Sequence, residues 1–266
     1  MPAERIRALI WGKTYPELSV HHHETVCTGA VTDTGEPLRL YPVPLRYMDA
    51  SKQYKLYDWI DVEVARNSSD PRHESRKIRP ESIQVVDHIA SSTLDEWQAR
   101  RMVVLRDSRW QFDNIDALKS AQRTEGRSMG VLSIGEVVSV RATMKGEDAQ
   151  RAHQAKYAEV TAPTDLFRAE YLPLEFVPFD IKLRFRCAGP CSGCTRNPHD
   201  MKVLDWGLIE LGRNNGPAAA QARLTELADL SRYDFRLFMG NFRTHMNNFG
   251  IIGLWYPKRT AQGLLL

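Results

Sequence analysis

Ile181-Lys182-Leu183-Arg184-Phe185-Arg186-Cys187-Ala188-Gly189-Pro190-Cys191-Ser192-Gly193-Cys194-Thr195-Arg196-Asn197-Pro198-His199 carries the two strongest local signals in the chain. In its first seven residues, apolar side chains alternate with cations. That period of two gives a strand one buried face and one cationic face. The thirteen residues from Cys187 to His199 bring three cysteines and a histidine together. Gly189, Pro190 and Gly193 between them supply tight turns that let successive sulfurs face one centre. Zinc takes four such ligands tetrahedrally, and thiolate-rich sites also hold iron–sulfur clusters. Cys187, Cys191, Cys194 and His199 are therefore the expected metal ligands, with Cys27 or an exogenous ligand as competitors for the fourth position, zinc as the cofactor and a [4Fe-4S] cluster as the alternative. Unliganded thiols packed this densely would be prone to oxidation.

Upstream of this stretch the chain reads as β-rich. Arg5–Thr14, Glu24–Val31, Pro37–Leu45, Trp59–Ala65 and Ser82–Ile89 are short apolar or alternating runs separated by turn residues. Asn67–Arg72 reads as a loop. Thr93 and Glu96 form a capping-box signature, opening a helix on which Leu94, Trp97, Met102 and Leu105 can share a face. A second helix is expected over Asp116–Arg123 and a strand over Leu132–Thr143, interrupted near Gly135. Lys145–Glu159 reads as a surface helix or a loop.

Downstream, Met201–Leu211 reads as a helix, so the knuckle takes a strand–knuckle–helix form. Pro217 opens another helix, and Phe235–Phe242 with Gly250–Tyr256 form a closing β-hairpin. The expected fold class is α+β. A β-rich N-terminal part spans 1–145, and a knuckle-containing C-terminal part spans 146–266, or the two form one continuous domain.

Composition narrows the function classes. At 42% hydrophobic and 26% charged residues, the chain is an ordinary globular one, which excludes wholesale disorder. No apolar run approaches the ~20 residues of a membrane-spanning helix. The N-terminus lacks the apolar core of a signal peptide, so a cytoplasmic protein without a membrane partner is expected. Four cysteines, three of them clustered, fit ligands better than a disulfide framework.

The net charge of +3 is compatible with nucleic acid without requiring it. Lys182, Arg184 and Arg186 lead into the knuckle, with Arg196 and Lys202 beside it, and basic strands next to zinc knuckles recur as nucleic-acid surfaces. Arg72, Arg76, Lys77 and Arg79 add a second basic cluster. The leading expectation is a zinc-binding, nucleic-acid-associated protein. The alternative is an iron–sulfur or metal-dependent enzyme with a pocket built from Glu24, Cys27, Asp205 and His245. Asp205 is expected beside the knuckle, orienting His199 or the neighbours of a cysteine sulfur, and His245 belongs to a ligand loop over Gly240–Asn248.

His21-His22-His23 reads as an exposed turn. The Cys-x3-Cys-x2-Cys spacing matches radical SAM enzymes, but the motif lies too late in the chain and Gly193 stands where that family has an aromatic residue. No P-loop, HExxH, GxSxG or deaminase pattern is present. Whether the chain is an enzyme, and in what oligomeric state, the sequence leaves open.

Three blocks resemble a bacterial family of conserved proteins with no known activity. They are Lys13–Pro16 with Glu24–Thr28 and Arg39–Arg46, then His199–Met201 with Leu204–Trp206, and Ile251–Pro257. The resemblance implies that Cys27, His199, Asp205 and Trp206 belong to shared blocks, and it implies no activity.

Overall fold

The computed structural model describes residues 3–68, 70–161 and 172–259. Ser69, within the loop expected over Asn67–Arg72, lies outside them. The N-terminal half holds β1 (Glu4–Lys13), β2 (Glu17–Ser19), β3 (His23–Thr32), β4 (Pro37–Val43), β5 (Asp58–Arg66), β6 (Ser75–Ile78) and β7 (Gln84–His88). β1 pairs with β3, β3 with β4, β4 with β6, β6 with β5, and β5 returns to β1. Five strands thus close into a barrel, with β2 appended to β3 and β7 to β5. Closure removes the free edges that an open sheet would expose. Ala8, Ile10, Val26, Ala30, Leu40, Ile60 and Val62 fill the interior and are fully buried.

Then come α1 (Leu94–Val104), β8 (Gln111–Phe112), α2 (Ile115–Glu125), β9 (Met129–Met144) and α3 (Glu147–Thr161). They are followed by β10 (Phe179–Cys187), α4 (Ser192–Arg196), β11 (His199–Lys202), α5 (Trp206–Asn215), α6 (Pro217–Leu227), β12 (Arg236–Phe242) and β13 (His245–Trp255). The second sheet runs β11-β10-β9-β12-β13, with β8 alongside β9. Leu183 and Phe185 of β10 pack with Leu208, Ala220 and Leu224 of α5 and α6. A third cluster joins the halves: Leu9 and Trp11 of β1 pack with Trp97, Trp110, Met129, Phe238 and Trp255. The protein is α+β, with a β-rich N-terminal half and a C-terminal β-hairpin, as expected.

Local readings succeed and fail for identifiable reasons. Thr93 and Glu96 form the expected capping box, yet the buried face of α1 is Trp97, Arg100 and Val104, leaving Leu94 and Met102 exposed. The Arg100 guanidinium sits 3.5 Å from the Tyr57 ring centroid, a cation–π contact that lets an arginine take an inward position. Lys145–Glu159 falls largely in helix α3, and β9 continues through Gly135, but its pairing slips there as expected: Arg186 faces Glu136 and Cys187 faces Ile134. Met201–Leu211 is not helical throughout. Residues 199–202 pair back on β10, Phe185 opposite His199, and the helix starts at Trp206 after an Asp205 cap. The loop expected over Gly240–Asn248 shrinks to Arg243 and Thr244, because His245 to Phe249 join β13.

Candidate metal centre

β10 ends at Cys187, a backbone turn places Cys191 at the N-cap of the short helix α4, Cys194 sits within α4, and His199 opens β11. The strand pair β10–β11 holds the first and last ligands in register. The ligand atoms of Cys187, Cys191, Cys194 and His199 all lie within 4.8 Å of one another. This group is a Cys3His site positioned to bind a metal ion.

Its packing is tight. Cys191 Sγ lies 3.2 Å from His199 Nε2, and the Cys187 N–H donates to Cys194 Sγ at 3.2 Å. A Cβ on Gly193 would stand 2.7 Å from His199 Cε1, so only glycine lets the imidazole lie against the turn. The Phe185 ring flanks the imidazole with centroids 5.5 Å apart. The knuckle is also anchored to α2: the Asp116 carboxylate accepts from the Ser192 N–H at 2.7 Å and the Ser192 hydroxyl at 2.8 Å. The Gly189 N–H donates to the Asp113 carbonyl at 2.8 Å.

Burial works against charge at two ligands. It pushes the Cys187 thiol far above the ordinary range and lowers His199, whose imidazolium is further disfavoured by Lys119. At Cys191 burial acts the same way, but hydrogen bonds from Cys194 and Gly193 outweigh it and hold the thiol below its usual range. The neutral imidazole of His199 and the thiolate-favouring turn at Cys191 suit a metal, whereas the Cys187 thiol would have to give up its proton to one.

The cationic residues lie on the outer face of the same sheet. Lys182 stands opposite Arg141 on β9 and Lys202 on β11, a row of three cations. Carboxylates intervene: Asp180 meets Lys202 at 2.6 Å, Asp200 meets Arg141 at 2.7 Å, and Glu136 meets Arg186 at 3.0 Å. Arg186 also donates to the Cys194 carbonyl, tying the face to the knuckle. Arg184 has a buried Nε without a partner, and Arg196 is exposed on α4. In the second basic cluster, Arg72 is buried against Asp70 at 2.6 Å and Arg79 pairs with Glu63 at 2.9 Å.

The four residues of the alternative pocket are engaged separately. Glu24 is buried, with one oxygen on Arg46 at 3.0 Å, and burial raises its pKa. Cys27 Sγ accepts from Arg39 Nη1 at 3.0 Å. Asp205 does not meet His199; its Oδ1 accepts from the Leu208 N–H at 2.9 Å, and burial raises its pKa to about 6. The physical reason is β11, which carries the chain away from His199 before the cap forms. His245 is exposed beside the hairpin turn, its Nδ1 3.0 Å from Thr244 Oγ1. His21 and His22 occupy the exposed turn before β3.

Sequence reasoning missed a buried polar network around Cys27. Arg39 is 1% exposed and also donates to the Ser128 carbonyl, while the Glu74 carboxylate accepts from the Ser128 N–H and hydroxyl. Arg72 reaches the Asn241 carbonyl. The available signal was Arg39 itself, a lone cation within the apolar run Pro37–Val43.

No helix among the described residues is long and apolar enough to cross a membrane. Residues 4–106 match a family model described as a domain of unknown function (DUF8758). Residues 109–266 match a second, also described as a domain of unknown function (DUF8757). No curated protein matches the chain. Both descriptions agree with the resemblance to a family without a known activity.

Proposed function

The chain belongs to the DUF8757 family, so its role has to be read from its own geometry, and we propose a zinc-stapled protein that associates with nucleic acid. The observation that carries this reading is the Cys3His quartet at the end of a sheet whose outer face is basic. Four ligand atoms within 4.8 Å suit one tetrahedral ion, whose ligands sit about 3.5–3.8 Å apart for Zn–S and Zn–N bonds of about 2.3 and 2.0 Å. A [4Fe-4S] cluster binds each ligand to a different iron and so needs a wider set. With three thiolates and one imidazole the zinc shell is closed, which makes the ion structural. Here Cys187 would hold the end of β10, Cys191 and Cys194 the short helix α4, and His199 the start of β11.

On the face, five cations (Arg141, Lys182, Arg184, Arg186, Lys202) stand against three carboxylates (Glu136, Asp180, Asp200). The surplus of two positive charges favours a polyanion. Phosphate contacts would supply affinity without base readout.

Fluorescence anisotropy against single- and double-stranded DNA and RNA over a salt series tests the reading. Binding should weaken linearly in log salt. The triple variant Lys182→Ala/Arg184→Ala/Lys202→Ala should flatten the slope by about 0.7–0.9 for each phosphate it no longer neutralises. Binding that is absent, or indifferent to salt and to the variant, sinks the nucleic-acid assignment. Elemental analysis decides the metal separately: iron with sulfide would replace zinc.

A further inference from the structure

A cavity of about 650 Å³ opens between the N-terminal end of α1, helix α6 and the chain after β13. Its volume falls in the range of small-molecule sites, roughly 300–1,000 Å³. The floor is aromatic: Trp97 and Tyr233 are buried, and Tyr256 is half-buried. Trp97 is fixed in place. Its ring meets Trp255 edge-on at 5.1 Å and Tyr256 at 5.4 Å, and the Arg100 guanidinium lies 4.8 Å from its centroid. A planar ligand would therefore meet the half-buried Tyr256 ring, braced edge-on by the buried Trp97, as a platform that needs no ordering on binding.

The rim is cationic. Arg223, Arg232, Lys258 and Arg259 line it against a single carboxylate, Glu226. That carboxylate is already engaged, by Arg223 at 2.7 Å and by the Tyr233 hydroxyl at 3.3 Å. Arg232 rests near the Tyr233 ring, 5.7 Å from its centroid, and Arg259 uses its Nε on the Tyr233 carbonyl. Among the described residues, Arg232, Lys258 and Arg259 form no ion pair with a carboxylate. The helix end is not the anion site, because Glu96 already accepts the Ser92 and Thr93 N–H groups.

We infer that this cavity binds a nucleoside phosphate, the base against the Tyr256 platform backed by Trp97 and the phosphate among Arg232, Lys258 and Arg259. Rigid aromatics with unpaired guanidinium and ammonium groups a few ångströms away suit a ligand with one flat apolar end and one multiply charged end. An uncharged aromatic would leave three cations unused, and inorganic phosphate alone would leave the platform bare. The inference is independent of the basic sheet face.

Isothermal titration of the metal-bound full chain with adenosine 5′-monophosphate, adenosine and inorganic phosphate tests it. The monophosphate should bind saturably, and at least about ten-fold more tightly than either fragment. Arg232→Ala/Lys258→Ala should remove about ten-fold or more of that affinity with an unchanged melting temperature, and Arg232→Gln alone should give a smaller loss. The Lys182→Ala/Arg184→Ala/Lys202→Ala variant should bind the monophosphate normally. Competition by a 5′-phosphorylated but not a 5′-hydroxyl oligonucleotide would identify the ligand as a nucleic-acid terminus. Competition by neither, with the monophosphate still binding, would identify it as a free nucleotide. No saturable binding, equal binding of adenosine, or indifference to the Arg232 and Lys258 changes overturns the assignment.

Discussion

The N-terminal barrel and the knuckle at the end of β10 both hold strands together, but by different means. In the barrel, Ala8, Ile10, Val26, Leu40, Ile60 and Val62 are fully buried, and closing the ring lets each strand satisfy its backbone on both sides. Between Cys187 and His199 the chain offers no apolar side chain larger than cysteine or proline. Such a segment cannot bury enough surface to offset the entropy of ordering it. What it has instead are four ligand atoms within 4.8 Å and two tethers to the segment around α2, at Asp113 and Asp116. The barrel is stabilised by area, and the knuckle is placed to be stabilised by coordination of a metal ion. The two should therefore fail under different insults.

The largest expected effect is on the knuckle. Structural zinc contributes an apparent 10–16 kcal/mol or so in small metal-folded peptides, and an ion held by this quartet would act on about a dozen residues. Chelation, or Cys191→Ser, should release the metal and lower the melting temperature. Hydrogen exchange should then quicken around 187–202, while β1 and β3 keep their protection. A variant that melts normally with its metal retained would remove the metal centre from the account.

The converse insult is Ile60→Ala inside the barrel. Truncating a buried isoleucine costs about 2–5 kcal/mol. Denaturant unfolding should show that loss with metal content unchanged. If metal is lost in step, the shared core around Trp11 and Trp255 makes the two regions one cooperative unit and the contrast breaks.

A smaller effect should come from Asp205, where β1 meets the start of α5 through a bridge to Thr14. Burial is the main cause of its raised pKa, about 6 against an ordinary 3.8, with the Leu208 N–H and Lys13 pulling the other way. The folded state therefore holds a proton that the unfolded chain has lost. This contribution is fully present below about pH 4 and is lost as pH rises through about 6, at most about 3 kcal/mol in all. Asp205→Asn keeps a capping oxygen and should flatten stability between pH 4 and 7 in a denaturant series. An unchanged pH profile would show that Asp205 ionises in the folded protein as it does in water.

The capping box of α1 was legible in the sequence because Thr93 and Glu96 act on each other across three residues. Which face of α1 turned inward was not, because Arg100 finds Tyr57 across the fold. The strands β2 and β6 were missed for a related reason. Each is three or four residues long and is defined by its neighbour rather than by its own pattern.

The sequence alone determined what rests on local spacing: the four ligands of the knuckle, the alternating strand β10 that leads into them, and a β-rich half ahead of them. A ligand set within thirteen residues needs little more than turns to converge, so its reading survives without knowledge of the fold. Tertiary structure alone decided the rest. Only barrel closure sets Glu4–Leu9 against Trp59–Val64, and only the packing of the two halves brings Arg39 to Ser128 and places Trp97 beside Arg232 and Lys258. These contacts join residues tens to over a hundred positions apart. They are selected by burial and by satisfying charge and hydrogen bonds in a shared interior, and no local pattern records that selection.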